Sequence, residues 1–368
     1  MAWCTPTIEF EREVYFPGET VTGRAFVTTT KDMTARNVEI TFFGKSLTAW
    51  RTKGDRTDQP VSEQLYKQGE ETYVEMKHEV WKPEDDKNTF PAGDYDWKFS
   101  FDLPKECPAS FEGKFGFIRY WVLVHIDVPL WYDTKTERAI TVSPTIDLNS
   151  IPGTRNPLKT KMSKVVHKCC CLPFLGNNGK VEYTLSTPQL GYIAGDTIHV
   201  SAKIENRSTE SIESIESEFR RRVIYRRDMR DSIFKPSSNK PDSQNSRSEI
   251  WSIEERTELC QIEPGQTKTF DFEFKIPPVC ATIRSSGFIQ VEYFVTFSAA
   301  RWAWDCSQPP YLKIIVGNVP FLEPGTTNLP PHKFVNGDSA QCWITHLAKQ
   351  NFHYQFPYYG NDEPRKQD

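Results

Sequence analysis

The chain carries nearly the same sequence twice, and this constrains its fold more than any other feature. The run YFPGETVTGRAFV beginning at Tyr15 returns as YIAGDTIHVSAKI beginning at Tyr192, and VEITF at Val38 meets IESEF at Ile215 at the same offset of 177 residues. FSFDLP at Phe99 returns as FEFKIP at Phe272, and GFIRYWVLV at Gly116 as GFIQVEYFV at Gly287, with the offset sliding to 173 and 171. Loops therefore differ between the copies while strands persist. The period is too long for a solenoid or propeller repeat, so the pattern reads as two copies of one whole domain in tandem. At 368 residues, each copy is long enough to bury its own core without metal or disulfide staples.

Alternation of period two dominates both copies. Val21, Gly23, Ala25 and Val27 share one face of a strand, as do Ile198, Val200, Ala202 and Ile204, with polar residues between them. YWVLVHIDV from Tyr120 and YLKIIVG from Tyr311 are rich in β-branched and aromatic residues and read as more central strands. PGE at Pro17 and AGD at Ala194 occupy the same place in the repeat, each with a glycine free to take the positive φ of a tight reversal. Helix signals are absent, so the expectation is all-β: two tandem β-sandwiches of the immunoglobulin-like kind, about seven strands each. The domains are placed at residues 7–150 and 158–318, followed by a tail, 319–368, expected to be flexible. Residues 51–88 and 228–249 are polar insertions expected to be long charged loops.

Several function classes are excluded or demoted. A net charge of -4 lacks the basic excess of a dedicated nucleic-acid binder. The first residues, MAWCTPTIEFERE, lack a secretory signal, and no apolar run approaches the length of a membrane span, so the expected location is cytoplasmic. Nine irregularly spaced cysteines then read as free thiols, with Cys107 and Cys280 lining the repeated core. There is no GxSxG, HExxH or GxGxxG motif, and Gly44-Lys45-Ser46 has Glu39 where a P-loop needs its first glycine. An enzyme, a cofactor or a metal is not expected.

The segment LPKECPASFEGKFGFIRYWVLVHIDVP at residues 103–129 resembles the signature at the end of the N-terminal arrestin domain. YFPGETVTGRAFV resembles that domain's opening strands, and KCCCLPFLGNNGKVEYTLSTPQLGYIAGDTIHVSAKIENRS resembles the start of the arrestin C-terminal domain. The chain is identified as a member of the α-arrestin, or arrestin-domain-containing, family, with the likeness covering residues 7–317. The resemblance implies non-enzymatic adaptors built of two cupped sandwiches. They link membrane receptors or transporters to endocytic or ubiquitination machinery, often through Pro-Pro-x-Tyr motifs that recruit WW domains of HECT-type ubiquitin ligases. This chain has no Pro-Pro-x-Tyr; the nearest approach is Phe356-Pro357-Tyr358-Tyr359. A Pro-to-Phe change there loses the fixed φ and the ring that a WW groove grips, which leaves an aromatic tail packing onto the sandwich as the other reading. A coat or scaffold subunit resembling the arrestin-like retromer component is the alternative function from a different class.

Two further clusters stand out. Arg220, Arg222, Arg226 and Arg227 crowd one strand and its end, where bidentate guanidinium contacts could take phosphorylated cargo tails or anionic lipid headgroups. Against that, Glu213, Glu216, Glu218, Asp228 and Asp231 are near enough to neutralise them. Cys169, Cys170 and Cys171 follow Lys159, Lys161, Lys164, His167 and Lys168, a setting that suits S-acylation and peripheral membrane contact, or three buried free thiols at the start of a core strand.

Overall fold

The computed structural model describes residues 4–50, 69–84, 88–129, 134–167, 177–227, 245–299, 309–323, 332–337 and 352–360. Every regular element among them is a strand. The first half holds β1 (Cys4–Phe10), β2 (Val14–Tyr15), β3 (Thr20–Thr29), β4 (Met33–Thr34), β5 (Asn37–Thr48), β6 (Gly69–Trp81), β7 (Thr89–Phe90), β8 (Gly93–Asp102), β9 (Phe111–Gly113), β10 (Gly116–Asp127) and β11 (Thr134–Val142). The second half holds β12 (Leu158–His167), β13 (Asn177–Thr187), β14 (Gly191–Ile193), β15 (Thr197–Ser208), β16 (Ile212–Arg226), β17 (Ser246–Ile262), β18 (Thr267–Lys275), β19 (Ile289–Ala299) and β20 (Tyr311–Gly317). In the tail stand β21 (Lys333–Asn336) and β22 (Gln355–Tyr358).

The two halves repeat sheet for sheet. The first sandwich stacks β1-β3-β8 on β2-β11-β10-β5-β6, and the second stacks β12-β13-β15-β18 on β14-β20-β19-β16-β17. In each, one short strand joins the larger sheet in parallel: β2 beside β11 and β14 beside β20. The alternating residues read from the sequence face inward, with Val21, Ala25, Val27, Ile198, Ala202 and Ile204 fully buried. Burying one face of each strand pins its register, because a slip of one residue would turn the apolar set to water.

The repeat extends to individual hydrogen bonds. Gly18 and Gly195 take φ of 83° and 106°, as the two turns require. Glu19 accepts from the Phe16 amide at 2.8 Å, and Asp196 from the Ile193 amide at 2.9 Å. Tyr120 donates its hydroxyl to the Pro108 carbonyl at 2.8 Å, and Tyr293 donates to the Cys280 carbonyl at 2.6 Å. Ser110 and Thr282 each take the amide of a partner strand, Val142 and Val316, on the side-chain oxygen. Such pairs satisfy polar groups that a sandwich corner buries. Cys107 and Cys280 are buried free thiols, and burial raises the Cys107 pKa.

Two expectations about loops fail. Residues 51–88 are not one long loop, since β6 occupies Gly69–Trp81 and pairs with β5 along its length. As an edge strand it keeps glutamates, Lys77 and His78 on partly wet faces, which dilutes the alternation that marks inner strands. The tail is not flexible throughout. β21 and β22 pair antiparallel, and Val335, Tyr354, Phe356 and Tyr358 join the main core.

Candidate functional site

The two cores are continuous, and the join between them is the most constructed feature of the molecule. From the first sandwich, Thr48 donates its hydroxyl to the Arg226 carbonyl, and the Tyr73 hydroxyl meets the Ser286 hydroxyl at 3.0 Å. Burial pushes the Tyr73 pKa up, which keeps it a neutral donor. Phe115 meets Tyr225 edge-on at 5.6 Å, and the Arg227 guanidinium lies 4.3 Å from the centre of the Trp50 ring. Asn318, at the end of the second sandwich, clamps the linker: it donates to the Pro144 carbonyl at 2.7 Å and accepts from the Ile146 amide at 2.6 Å.

Glycines allow this close approach. A Cβ on Gly113 would stand 2.1 Å from the Tyr225 hydroxyl oxygen and 2.7 Å from the Phe111 ring, so the two domains meet where a side chain is missing. Gly113→Ala is expected to cost about 1–3 kcal/mol, as overpacking does elsewhere. A urea midpoint equal to wild type would contradict the contact.

The tail strand lies across this seam. Tyr354 packs on Phe111 of the first sandwich at 6.0 Å between ring centres, and the Gln355 amide donates to the Thr141 hydroxyl at 3.1 Å. Tyr359 donates to the Asn318 carbonyl at 2.9 Å. Beneath it a cavity of about 30 Å³, lined by Ser110, Val142, Cys280, Thr282, Tyr354 and Phe356, has room for about a single water. Phe356, Pro357 and Tyr358 are all buried. A WW groove grips an exposed polyproline II segment, whereas here the motif is a paired strand inside a seam. The rings of Tyr354, Phe356 and Tyr358, all in the main core, are what dock the tail.

Under the tail sits an ion pair that spacing did not reveal. Arg119 of β10 donates to Glu112 of β9 through Nε at 2.5 Å and Nη2 at 3.0 Å, and its guanidinium lies 5.9 Å from the centre of the Phe352 ring. The Glu112 side chain is only 3% exposed. Burial raises its pKa from the ordinary 4.5 to about 7, with Arg119 pulling the other way. Between those two values the folded chain keeps a proton that the unfolded chain has released. This group therefore stabilises the fold relatively more below 4.5 and costs stability as pH rises through the window. Glu112→Gln is expected to remove that component, so the difference in urea midpoint between wild type and variant changes between pH 5 and pH 7.5. A constant difference would contradict it.

The arginines divide. Arg220, Arg222 and Arg226 point to one side of β16, as alternation requires, while Arg227 lies on the seam. Arg220 is held by Glu218 at 2.7 Å. Arg222 reaches Glu292 at 2.5 Å, and Lys313 binds the same carboxylate. Burial would raise the Glu292 pKa, but Lys313 and Arg222 together bring it below its ordinary value. Arg226 meets Gln290 at 3.0 Å. Local carboxylates thus neutralise Arg220 and Arg222. Cys169, Cys170 and Cys171 lie outside the described residues, although Lys159, Lys161 and Lys164 before them stand on edge strand β12. Among the described residues no three His, Cys, Asp or Glu side chains converge as a metal site, and no helix is long and apolar enough to cross a membrane.

Comparison with known proteins decides the family. The arrestin (or S-antigen) N-terminal domain matches residues 4–149 and the arrestin (or S-antigen) C-terminal domain matches residues 177–320. The chain belongs to the arrestin-domain-containing family. It is 29% identical over 217 residues to arrestin domain-containing protein 1 of Mus musculus, covering 58% of this chain and 45% of that protein. It is 26% identical over 202 residues to arrestin domain-containing protein 17 of Caenorhabditis elegans, covering 54% and 46%. It is 28% identical over 195 residues to thioredoxin-interacting protein of Sus scrofa, covering 53% and 47%. The match thus spans about half the length of these relatives. The duplicated sandwiches are the two arrestin domains.

Proposed function

We propose that this arrestin-domain protein is a non-enzymatic adaptor. It binds membrane receptors or transporters on its sandwich surfaces and hands them to endocytic sorting or ubiquitination machinery. The observation that supports this most is the seam: two arrestin domains share one continuous core, so their outer faces form a fixed two-lobed surface suited to recognition. Recognition on this reading belongs to the sandwiches, and the Phe356 to Tyr359 segment can reach a WW domain only after β22 leaves the seam.

Pull-down from solubilised membranes with the full chain and with a Pro357→Ala, Tyr359→Ala variant tests this reading. Membrane receptors or transporters are expected with both. Recovery of no membrane protein with either contradicts the adaptor, while loss of a WW-domain ligase from the variant alone moves ligase recruitment into the tail.

The paired arginines are expected to contribute little to anion binding. Arg220→Gln with Arg222→Gln should change affinity for a phosphoserine peptide by less than about twofold, because each guanidinium already faces a carboxylate. A tenfold loss by fluorescence anisotropy would restore the phospho-cargo role. Recruitment to membranes through Cys169, Cys170 or Cys171 is a separate proposal, which an acyl-exchange assay silent on the wild-type chain would remove.

A further inference from the structure

One edge of the second sandwich is built unlike the others. β17 runs from Ser246 to Ile262, the longest strand among the described residues, and β16 is its one partner strand among them. An open edge presents a row of backbone donors and acceptors, and proteins blunt such edges with charged side chains, lysine above all, with proline, with bulges or with short length. The other edges follow that pattern: β1 carries Pro6, β12 carries Lys159, Lys161 and Lys164, β18 carries Lys268 and Lys275, and β6 carries Lys77. β17 has no lysine, proline or glycine. Its two bulges against β16 fall between Ser252 and Glu254 and between Leu259 and Ile262, and they bound a stretch from Glu254 to Leu259 that pairs in unbroken register.

The strand also keeps apolar side chains in water. Leu259 is 85% exposed, Ile250 53% and Trp251 40%, half of the large exposed apolar side chains among the described residues. From Glu254 to Leu259 it overhangs the core: Glu254, Arg256 and Glu258 stand opposite the buried residues Phe219, Ser217 and Ile215 of β16, yet Arg256 and Glu258 are exposed and Glu254 is only partly covered. Both faces of this half are therefore accessible. The charge around it is one-sided. Glu254, Glu255 and Glu258 of β17 join Glu213, Glu216 and Glu218 of β16, against Arg256, Arg220 and the nearby Lys268.

We propose that the Glu254 to Gln261 half of β17 is a strand-addition site for an extended basic peptide. Such a peptide would pair its backbone along the open edge, set Lys or Arg against the glutamates and an apolar residue against Leu259. Backbone pairing supplies affinity and the alternating side chains supply selectivity. This surface is separate from the seam, and it concerns what binds rather than what becomes of the bound protein, so it stands or falls independently of the adaptor reading.

The probe is a capped synthetic peptide of alternating lysine and valine, titrated by fluorescence anisotropy against the full chain at physiological ionic strength to suppress loose adsorption. Three results are expected: saturable binding, slowed amide exchange in β17, and a loss of about tenfold or more in Glu254→Lys with Glu258→Lys. The same peptide N-methylated throughout keeps its side chains and charge but loses its backbone N–H donors and crowds the edge with methyl groups, and it should not bind. Leu259→Ser tests the apolar contact at a position too exposed to threaten folding. The proposal is overturned if the wild-type chain does not bind, if N-methylation makes no difference, or if the glutamate reversals leave affinity unchanged. Sedimentation showing a dimer that Leu259→Glu dissolves would assign the edge to a second copy of this chain and also overturn it.

Discussion

Tyr354→Ala combined with Phe356→Ala is expected to undock the tail from the seam while both sandwiches stay folded. Each ring is nearly fully buried, at 2% and 6% exposure, and deleting such a side chain costs about 3 kcal/mol or more. The strand pair that holds Phe356 and that Tyr354 immediately precedes is only four residues long on each side, so its docking rests on these rings rather than on its ladder. The loss should appear first as local opening. Either substitution alone should lower amide protection in β21 and β22 about a hundredfold, since 1.4 kcal/mol is a factor of ten. Protection in β10 and β19, the inner strands, should fall far less. Hydrogen exchange resolved by segment reads both. Uniform loss across the chain would mean that the tail is part of the global unfolding unit, and unchanged protection of β22 would mean that its burial contributes nothing.

Arg119→Met is the second large effect. Removing one partner of a buried pair leaves the other charge without compensation, which costs about 3–5 kcal/mol, whereas replacing both is often close to neutral. The expectation is a severe loss at pH 7.5 that Glu112→Gln in the same chain largely restores. Because the Glu112 pKa is already raised to about 7, acidification to pH 5 protonates it and should shrink the single variant's deficit. Chemical denaturation of the four members of this cycle at both pH values gives the coupling directly. If the double variant were as unstable as Arg119→Met, the loss would lie in packing against Phe117 and Phe352, over which the guanidinium sits, rather than in the charge.

How far the sequence reveals this molecule depends on what kind of interaction fixes each part. The sandwiches were legible because local rules set them: Val21, Ala25 and Val27 alternate on β3 as Ile198, Ala202 and Ile204 do on β15, and Gly18 and Gly195 mark matching turns. The duplication made each half a check on the other. β6 was missed because an edge strand with one partner has little need of alternation, so GEETYVEMKHEVW reads as a charged loop. The seam was illegible for a different reason. Gly113 against Tyr225, Tyr73 against Ser286 and Thr48 against Arg226 join residues more than a hundred positions apart, and no local pattern encodes that meeting.

The arginines show the same limit. Arg220, Arg222 and Arg226 share one side of β16, but Glu292 and Lys313 reach that side from β19 and β20. Their charges could not be subtracted before the sheet order was known. The tail lay between these cases. Its aromatic residues offered packing onto a sandwich as one of two readings, while the surface that receives it, with Phe111, Thr141 and Asn318, appears only in the fold.

The measurement that tests the account most directly is scanning calorimetry of the full chain beside a chain ending after residue 323. With the two arrestin domains joined as one body through a seam that the tail closes, the full chain is expected to show a single cooperative transition, and the shortened chain a lower midpoint with two separable transitions. Two transitions in the full chain, or an identical single transition in both, would contradict it.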